Sequence, residues 1–161
     1  GLVMTNSQEL KFVWSGMMLT KEILDALDDD YAFERLLDSY GVWTRISRGC
    51  PSAGTVPTEH GYVAITEESA EIIAAVTCEF KKERPGLYRF FHWYYHKGQD
   101  AGDIRSFCKG ISIQRAKHRR LSVFEAHPWN VVRYMTIAMI NQKIFDSRDW
   151  MRDKLKQMRG E

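Results

Sequence analysis

Residues Asp103 to Arg120 read DIRSFCKGISIQRAKHRR, and how this stretch folds decides the architecture of the chain around it. Ile104 and Phe107 give a short helix from Ala101 to Cys108 one apolar face. Gly110 offers a sharp turn, Ile111 a plug for the junction, and Ser112 a hydroxyl cap for a second helix to about Ala126. On that second helix Ile113, Ala116 and Phe124 fall inward, with Leu121 at the margin. Ser112, Gln114, Arg115, His118, Arg119 and Ser122 point elsewhere. The stretch therefore predicts a helix-turn-helix at about Gly98–Ala126.

The residue types on the outer face suit a nucleic acid. Arg can give two hydrogen bonds to guanine and Gln can exchange two with adenine. Gln114, Arg115, His118 and Arg119, with Ser112, are the candidates for base or groove contact. Lys97, Lys109, Lys117 and Arg120 flank them as phosphate neutralisers. Between Ile104 and Phe124 there are six Lys or Arg and no Asp or Glu, whereas the rest of the chain holds 17 basic and 21 acidic residues. The net charge is only +2, so placement and not total charge carries this reading. The competing reading is an ordinary helical hairpin with a solvated basic face. Arg105 and Lys109 favour it, because many such readers carry apolar residues there.

Outward from this stretch the chain is helical in pattern. Its 161 residues are 44% hydrophobic and 12% aromatic, enough for a packed core. Upstream, Ile23, Leu24, Leu27, Tyr31, Leu36, Leu37 and Tyr40 recur at three- and four-residue steps after a Thr20 cap. The opposite face is acidic, the run Asp28–Asp30 marks a break into two helices, and Gly41 marks an end or a kink. Gly49 to Gly61 is rich in Gly and Pro and reads as a loop. Thr66 starts a helix with Glu67 and Glu68 in its first turn, and Pro85-Gly86 stops it. Leu87 to Lys97 is an aromatic helix closed by Gly98. Pro128 suits the first turn of a last helix reaching about Met158, with a nearly all-apolar first half expected in the core. The expected organisation is all-α: an N-terminal helical region 1–48, a linker loop 49–65, and a helix-turn-helix body 66–161 ending in a long helix.

Other chemistries find less support. Cys50, Cys78 and Cys108 are too far apart for a zinc knuckle or a redox pair, and an odd count fits a reducing, cytoplasmic interior. His92 and His96 share a helical face but lack the Glu of a zinc-protease motif and an evident third ligand, so they read as packing and not as a metal site. Cys50 has no catalytic partner at a recognisable spacing, and Gly49–Gly54 lacks the Lys-Ser/Thr ending of a phosphate loop. A nuclease assembled from distant carboxylates is the enzyme alternative, discriminated by magnesium-dependent DNA cleavage. RNA-binding is weaker, because the aromatics lie on a helix and not on a stacking sheet. No apolar run approaches the ~20 residues a membrane span needs. The expectation is a non-enzymatic DNA-binding protein with no cofactor.

Three tracts carry a family resemblance. Leu36-Leu37-Asp38-Ser39-Tyr40-Gly41-Val42-Trp43-Thr44-Arg45 pairs leucines with an aromatic-Gly and a Trp. Phe91-His92-Trp93-Tyr94-Tyr95-His96-Lys97-Gly98 leads into the reader, and Ile104 with Gly110-Ile111-Ser112 and Arg115 is similar to a sigma region 4-like unit. Over Leu36 to Ala126, this resembles the late-gene antitermination Q proteins of lambdoid bacteriophages, in particular the phage 21 type. Some lambda-type members carry a zinc site for which this chain lacks the cysteine spacing. The resemblance implies a sequence-specific DNA-binding antitermination factor in a bacterial host cell. It implies loading at a double-stranded element near a late promoter onto paused RNA polymerase with sigma, then read-through of pauses and terminators by modification of the RNA-exit channel. Self-association on DNA is a further expectation. The alternative is a phage or bacterial helix-turn-helix repressor. The Val131–Ile140 and Trp150–Met158 stripes then build a dimer, or simply core.

Overall fold

Helix starts and stops follow local chemistry through most of the chain. The computed structural model describes residues 18–49, 57–58, 61–62, 65–119, 132 and 134–160; the side chains of 47–49, 57–58, 61–62 and 111–119 lie outside that description. Six helices are described: α1 (Lys21–Leu27), α2 (Asp30–Gly49), α3 (Glu67–Glu83), α4 (Pro85–Phe91), α5 (Ala101–Arg119) and α6 (Ile137–Met158). Two two-residue strands, β1 (Pro57–Thr58) and β2 (Gly61–Tyr62), pair antiparallel inside the expected linker loop. The fold is all-α with a long C-terminal helix.

The chain divides into two compact units. One comprises Gly1–Glu83 with Asp149–Glu161, the other Arg84–Arg148. These units follow contacts along the backbone and are a different division from the composition-based regions 1–48, 49–65 and 66–161. Helix α6 contributes its residues up to Arg148 to the second unit and the remainder to the first.

In the first unit, the Thr20 hydroxyl caps α1 by accepting from the Ile23 amide at 3.2 Å. The acids at 28–30 end α1 and begin α2, as expected. Asp29 accepts from the Ala32 amide at 3.0 Å and so opens the new helix. Thr66 caps α3, accepting from the Ser69 amide at 3.2 Å, and Glu22 accepts from both the amide and the hydroxyl of Thr66 at 3.1 Å. The buried Ser69 hydroxyl meets Thr20 Oγ1 at 2.6 Å, so the two caps share one hydrogen-bonded network. Below it Ile23, Leu27, Phe33, Leu37, Ile73 and Phe80 are buried with Met151 and Leu155 of α6. Phe80 stacks on Trp150 with ring centroids 4.0 Å apart.

Three basic residues of α6 and the chain end tie down acids of this unit. Arg159 is bidentate to Asp28 at 3.0 and 3.2 Å, Lys154 pairs with Glu83 at 3.0 Å, and Arg152 pairs with Asp30. Two expectations change here. Tyr31 is 71% exposed and not part of the apolar face, while Phe33 takes the inward place. Gly41 neither ends nor breaks α2, which runs on to Gly49. A glycine costs roughly 1 kcal/mol in a helix interior, less than the burial of Leu37 and Tyr40 beside it supplies.

Candidate nucleic-acid interface

The second unit begins where Pro85 opens α4, its missing amide hydrogen costing nothing in a first turn. After Phe91 the helix continues as a π turn, His92–His96. This turn widens the inward face: Phe90, Phe91, Trp93, Tyr95 and His96 are all buried. The aromatic stretch is therefore chiefly core. His92 and His96 meet Nδ1 to Nδ1 at 2.8 Å. One ring must donate and the other accept, so this is a hydrogen bond in which one of the two nitrogens carries a proton. Among the described residues no group of three or more His, Cys, Asp or Glu is placed to hold a metal ion.

Gly98 ends the helix with φ 68°, a left-handed conformation that only glycine adopts without penalty. The Gln99 amide donates back to the Trp93 carbonyl at 2.9 Å and completes the closure. Two residues later a new helix is capped reciprocally. The Asp103 amide donates to Asp100 Oδ1 at 2.8 Å, and the Asp100 amide donates to Asp103 Oδ2 at 3.2 Å. Helix, four-residue glycine turn, helix is thus the local plan, with its turn at Lys97–Asp100.

The turn expected at Gly110 is not formed. One helix, α5, passes from Ala101 through Gly110 to Arg119, and a Cβ added at Gly110 meets no atom within 4 Å. The physical reason is that Gly110 lies beyond a well-seated start. Ala101, Ile104 and Cys108 pack with Phe90, Trp93, Val132, Ile140 and Ile144 in one core cluster. The helix end expected at Gly98 does form, and there the backbone φ requires a glycine.

On the exposed face of α5 lie Arg105, Ser106, Phe107 and Lys109. Phe107 was expected inward; it is 41% exposed and meets Trp93 only edge-on at 6.4 Å. Lys97, in the turn, is exposed as well. Of the predicted contacts, Lys97 and Lys109 are thus on the surface of this unit. The side chains of Ser112, Gln114, Arg115, Lys117, His118 and Arg119 lie outside the described residues, although their backbone continues α5; Arg120 lies outside them altogether. So does the rest of the expected second helix to Ala126, and Pro128 with it. Arg105 was counted as charge and not as a contact. Its signal was its four-residue step to Lys109, which places both on one side of an unbroken helix.

The last helix also starts later than expected. Thr136 caps α6, its hydroxyl accepting from the Met139 amide at 3.1 Å. Its first half is only partly core: Ile140 and Ile144 are buried, whereas Ile137, Met139 and Phe145 are exposed.

Burial sets the one perturbed thiol of the unit. Cys108 is fully buried on the inner face of α5, and desolvation pushes its pKa from 9.0 up to about 11. It is not a nucleophile at neutral pH.

The division into units sharpens the charge pattern. Arg84–Arg148 holds twelve Lys or Arg and four Asp or Glu, a net of +8; the remainder of the chain holds eleven and seventeen, a net of −6. Among the described residues no helix is long and apolar enough to cross a membrane. Comparison with protein-family models, curated proteins and solved structures finds no match to the chain.

Proposed function

We propose that the protein is a non-enzymatic, sequence-specific double-stranded DNA-binding factor whose second unit, Arg84–Arg148, meets the DNA through α5. The observation that carries this reading is the net charge of +8 in that unit against −6 elsewhere. A surplus of cations on one compact unit favours the phosphate backbone through counterion release. Arg105 and Lys109, one turn apart on the exposed face of α5, begin the contact line; Lys97 in the preceding turn extends it. Gln114, Arg115, His118 and Arg119, with Ser112, are proposed for base or groove contact, and Lys117 and Arg120 for phosphate.

The resemblance to the phage 21 type of Q protein supplies the transcriptional role. The DNA-bound protein joins promoter-proximal paused RNA polymerase that still carries sigma, and lets it read through pauses and terminators. The acidic first unit, with its exposed Tyr31, is the surface offered to the polymerase.

The test has two parts. Fluorescence anisotropy on duplex DNA across a salt series should give a log–log slope that falls by about 1 for each phosphate-contacting Lys replaced, Lys109→Ala first. A salt slope near zero for the intact chain would end the DNA reading. Single-round transcription with bacterial polymerase, a phage 21-type late promoter, its element and a downstream terminator then tests the role. Read-through that depends on the element supports antitermination. Promoter shut-off with termination intact replaces it with repression.

A further inference from the structure

A π turn is rare in proteins and recurs where a helix is shaped for a ligand. Here its five residues begin and end on histidine. His92 is half-buried and His96 is buried, and their Nδ1 atoms stand 2.8 Å apart. Tyr88 packs against both rings, with centroids 5.8 and 6.3 Å away, and Phe91 meets His96 edge-on at 5.5 Å. These aromatic walls hold the two imidazoles close together before anything binds them, which lowers the entropy lost on binding.

We propose that His92 and His96 chelate one divalent transition metal through their two Nδ1 atoms, and that the cation is one with right-angled ligand geometry, copper or nickel. Imidazole suits these metals, whereas magnesium and calcium seek oxygen. The bite decides the geometry. Two nitrogens that each lie about 2.0–2.1 Å from a metal are about 2.8–3.0 Å apart at a right angle and about 3.3–3.4 Å apart at a tetrahedral one. The 2.8 Å between these nitrogens is the right-angled bite, and tetragonal sites of nitrogen and oxygen select copper(II) or nickel(II). The hydrogen bond that spans the pair holds the nitrogens at this spacing. Chelation turns each ring about its broad Cβ–Cγ torsion until both lone pairs meet the metal. The proton on the donating Nδ1 passes through solvent to Nε2 of the same ring, so none is gained or lost.

The pair supplies two donors, and among the described residues no group of three or more His, Cys, Asp or Glu is placed to hold a metal. Water takes the remaining positions. A structural zinc is closed by four protein ligands, so this site is a reversible one and not a condition of folding. The metal bridges the first and last residues of the turn and so staples the segment that leads to Gly98 and α5. The inference stands apart from the DNA reading and is tested without DNA.

Isothermal titration of the full chain with copper and nickel chlorides, in a Cys50→Ser, Cys78→Ser background that removes competing thiols, should show one equivalent bound, copper the tighter. Magnesium should give no heat. His92→Gln, at the half-buried position, should weaken copper by about tenfold or more while leaving the thermal transition in place. Because His96 is buried, location is also read without a variant. Substoichiometric copper should broaden the NMR amide signals of residues 88–98 before others, and its EPR spectrum should show two imidazole nitrogens. Cobalt(II) bound in the same place should give the weak absorption of a six-coordinate ion. Copper held equally by the parent chain and His92→Gln, or broadening centred away from 88–98, overturns the site. The intense absorption of tetrahedral cobalt overturns the right-angled geometry.

Discussion

The two units use charge in opposite ways. In the first, acids are internal ties: Asp28 holds Arg159, Asp30 holds Arg152 and Glu83 holds Lys154, so the acidic helices α1–α3 are stitched to the end of α6. In the second, acids are outnumbered three to one, and two of the four are occupied with opening α5, as Asp100 and Asp103 cap each other's amides. Three of the first unit's seventeen acids are taken up by these ties, while the second unit has too few acids to pair its twelve bases. Charged residues therefore serve as fastenings in one unit and leave a cationic surplus in the other.

The largest effect should come from unseating α5. Ile104 is fully buried, and Ile104→Ala should cost about 2–5 kcal/mol. Hydrogen exchange should show that loss in Arg84–Arg148 before it shows it at Ile73 or Phe80 in the first unit. Simultaneous loss in both would mean that the units do not melt separately. Next is thiol chemistry. Buried, and with its pKa raised from 9.0 to about 11, Cys108 should react with a thiol reagent at pH 8 far more slowly than the exposed Cys78. Equal rates in native protein would show that α5 is not seated as described. Gly110→Ala is the smaller but more pointed change. In an unbroken helix with open space at the new Cβ it should stabilise by about 0.5–1 kcal/mol, whereas a turn at Gly110 would make it destabilising, so the sign of the Tm shift decides.

The smallest effect is at the chain end. The Arg159 guanidinium, by its hydrogen bonds to Asp28, lowers that carboxyl below its ordinary 3.8. A depressed acid contributes its stability above the ordinary value and loses it as pH falls through the lowered one. The tie should therefore persist at neutral pH and release only in acid, below about pH 4. Arg159→Ala should raise the Asp28 carbon titration toward the ordinary midpoint by NMR; a wild-type midpoint already there would show no tie in solution.

Much of this was legible in the sequence because it is local. Thr20, Thr66, Pro85 and Gly98 act within a turn of themselves, and each begins or ends a helix as its chemistry dictates. The break at 28–30 was legible for the same reason. What misled was a glycine whose role depends on distant partners. Gly98 and Gly110 look alike in a string of letters. Only the seat that Phe90, Trp93 and Ile140 make for Ile104 and Cys108 lets the helix run through one and not the other. The outward turn of Tyr31 was hidden likewise, since it follows from which face meets a neighbour, whereas the Thr136 cap is as local as those of Thr20 and Thr66 and its signal stood in the sequence beside that of Pro128. Of the candidate contacts, Lys97 and Lys109 are on the surface as read, and Arg105 joins them because the helix is unbroken.

The π turn at His92–His96 holds one residue more than an α-helical turn would, and that fact has a meaning for inheritance. A substitution there trades one side chain for another and leaves the rest of the chain where it was. A lost codon is absorbed at the same place: the turn relaxes to α geometry, and the helix on either side keeps the face it had. Phe90 and Phe91 would stay in the core and Gly98 in place, while the widened inward face that carries Trp93, Tyr95 and His96 would close by one position. The extra residue is thus a place in this helix where length can change without re-aiming what lies on either side.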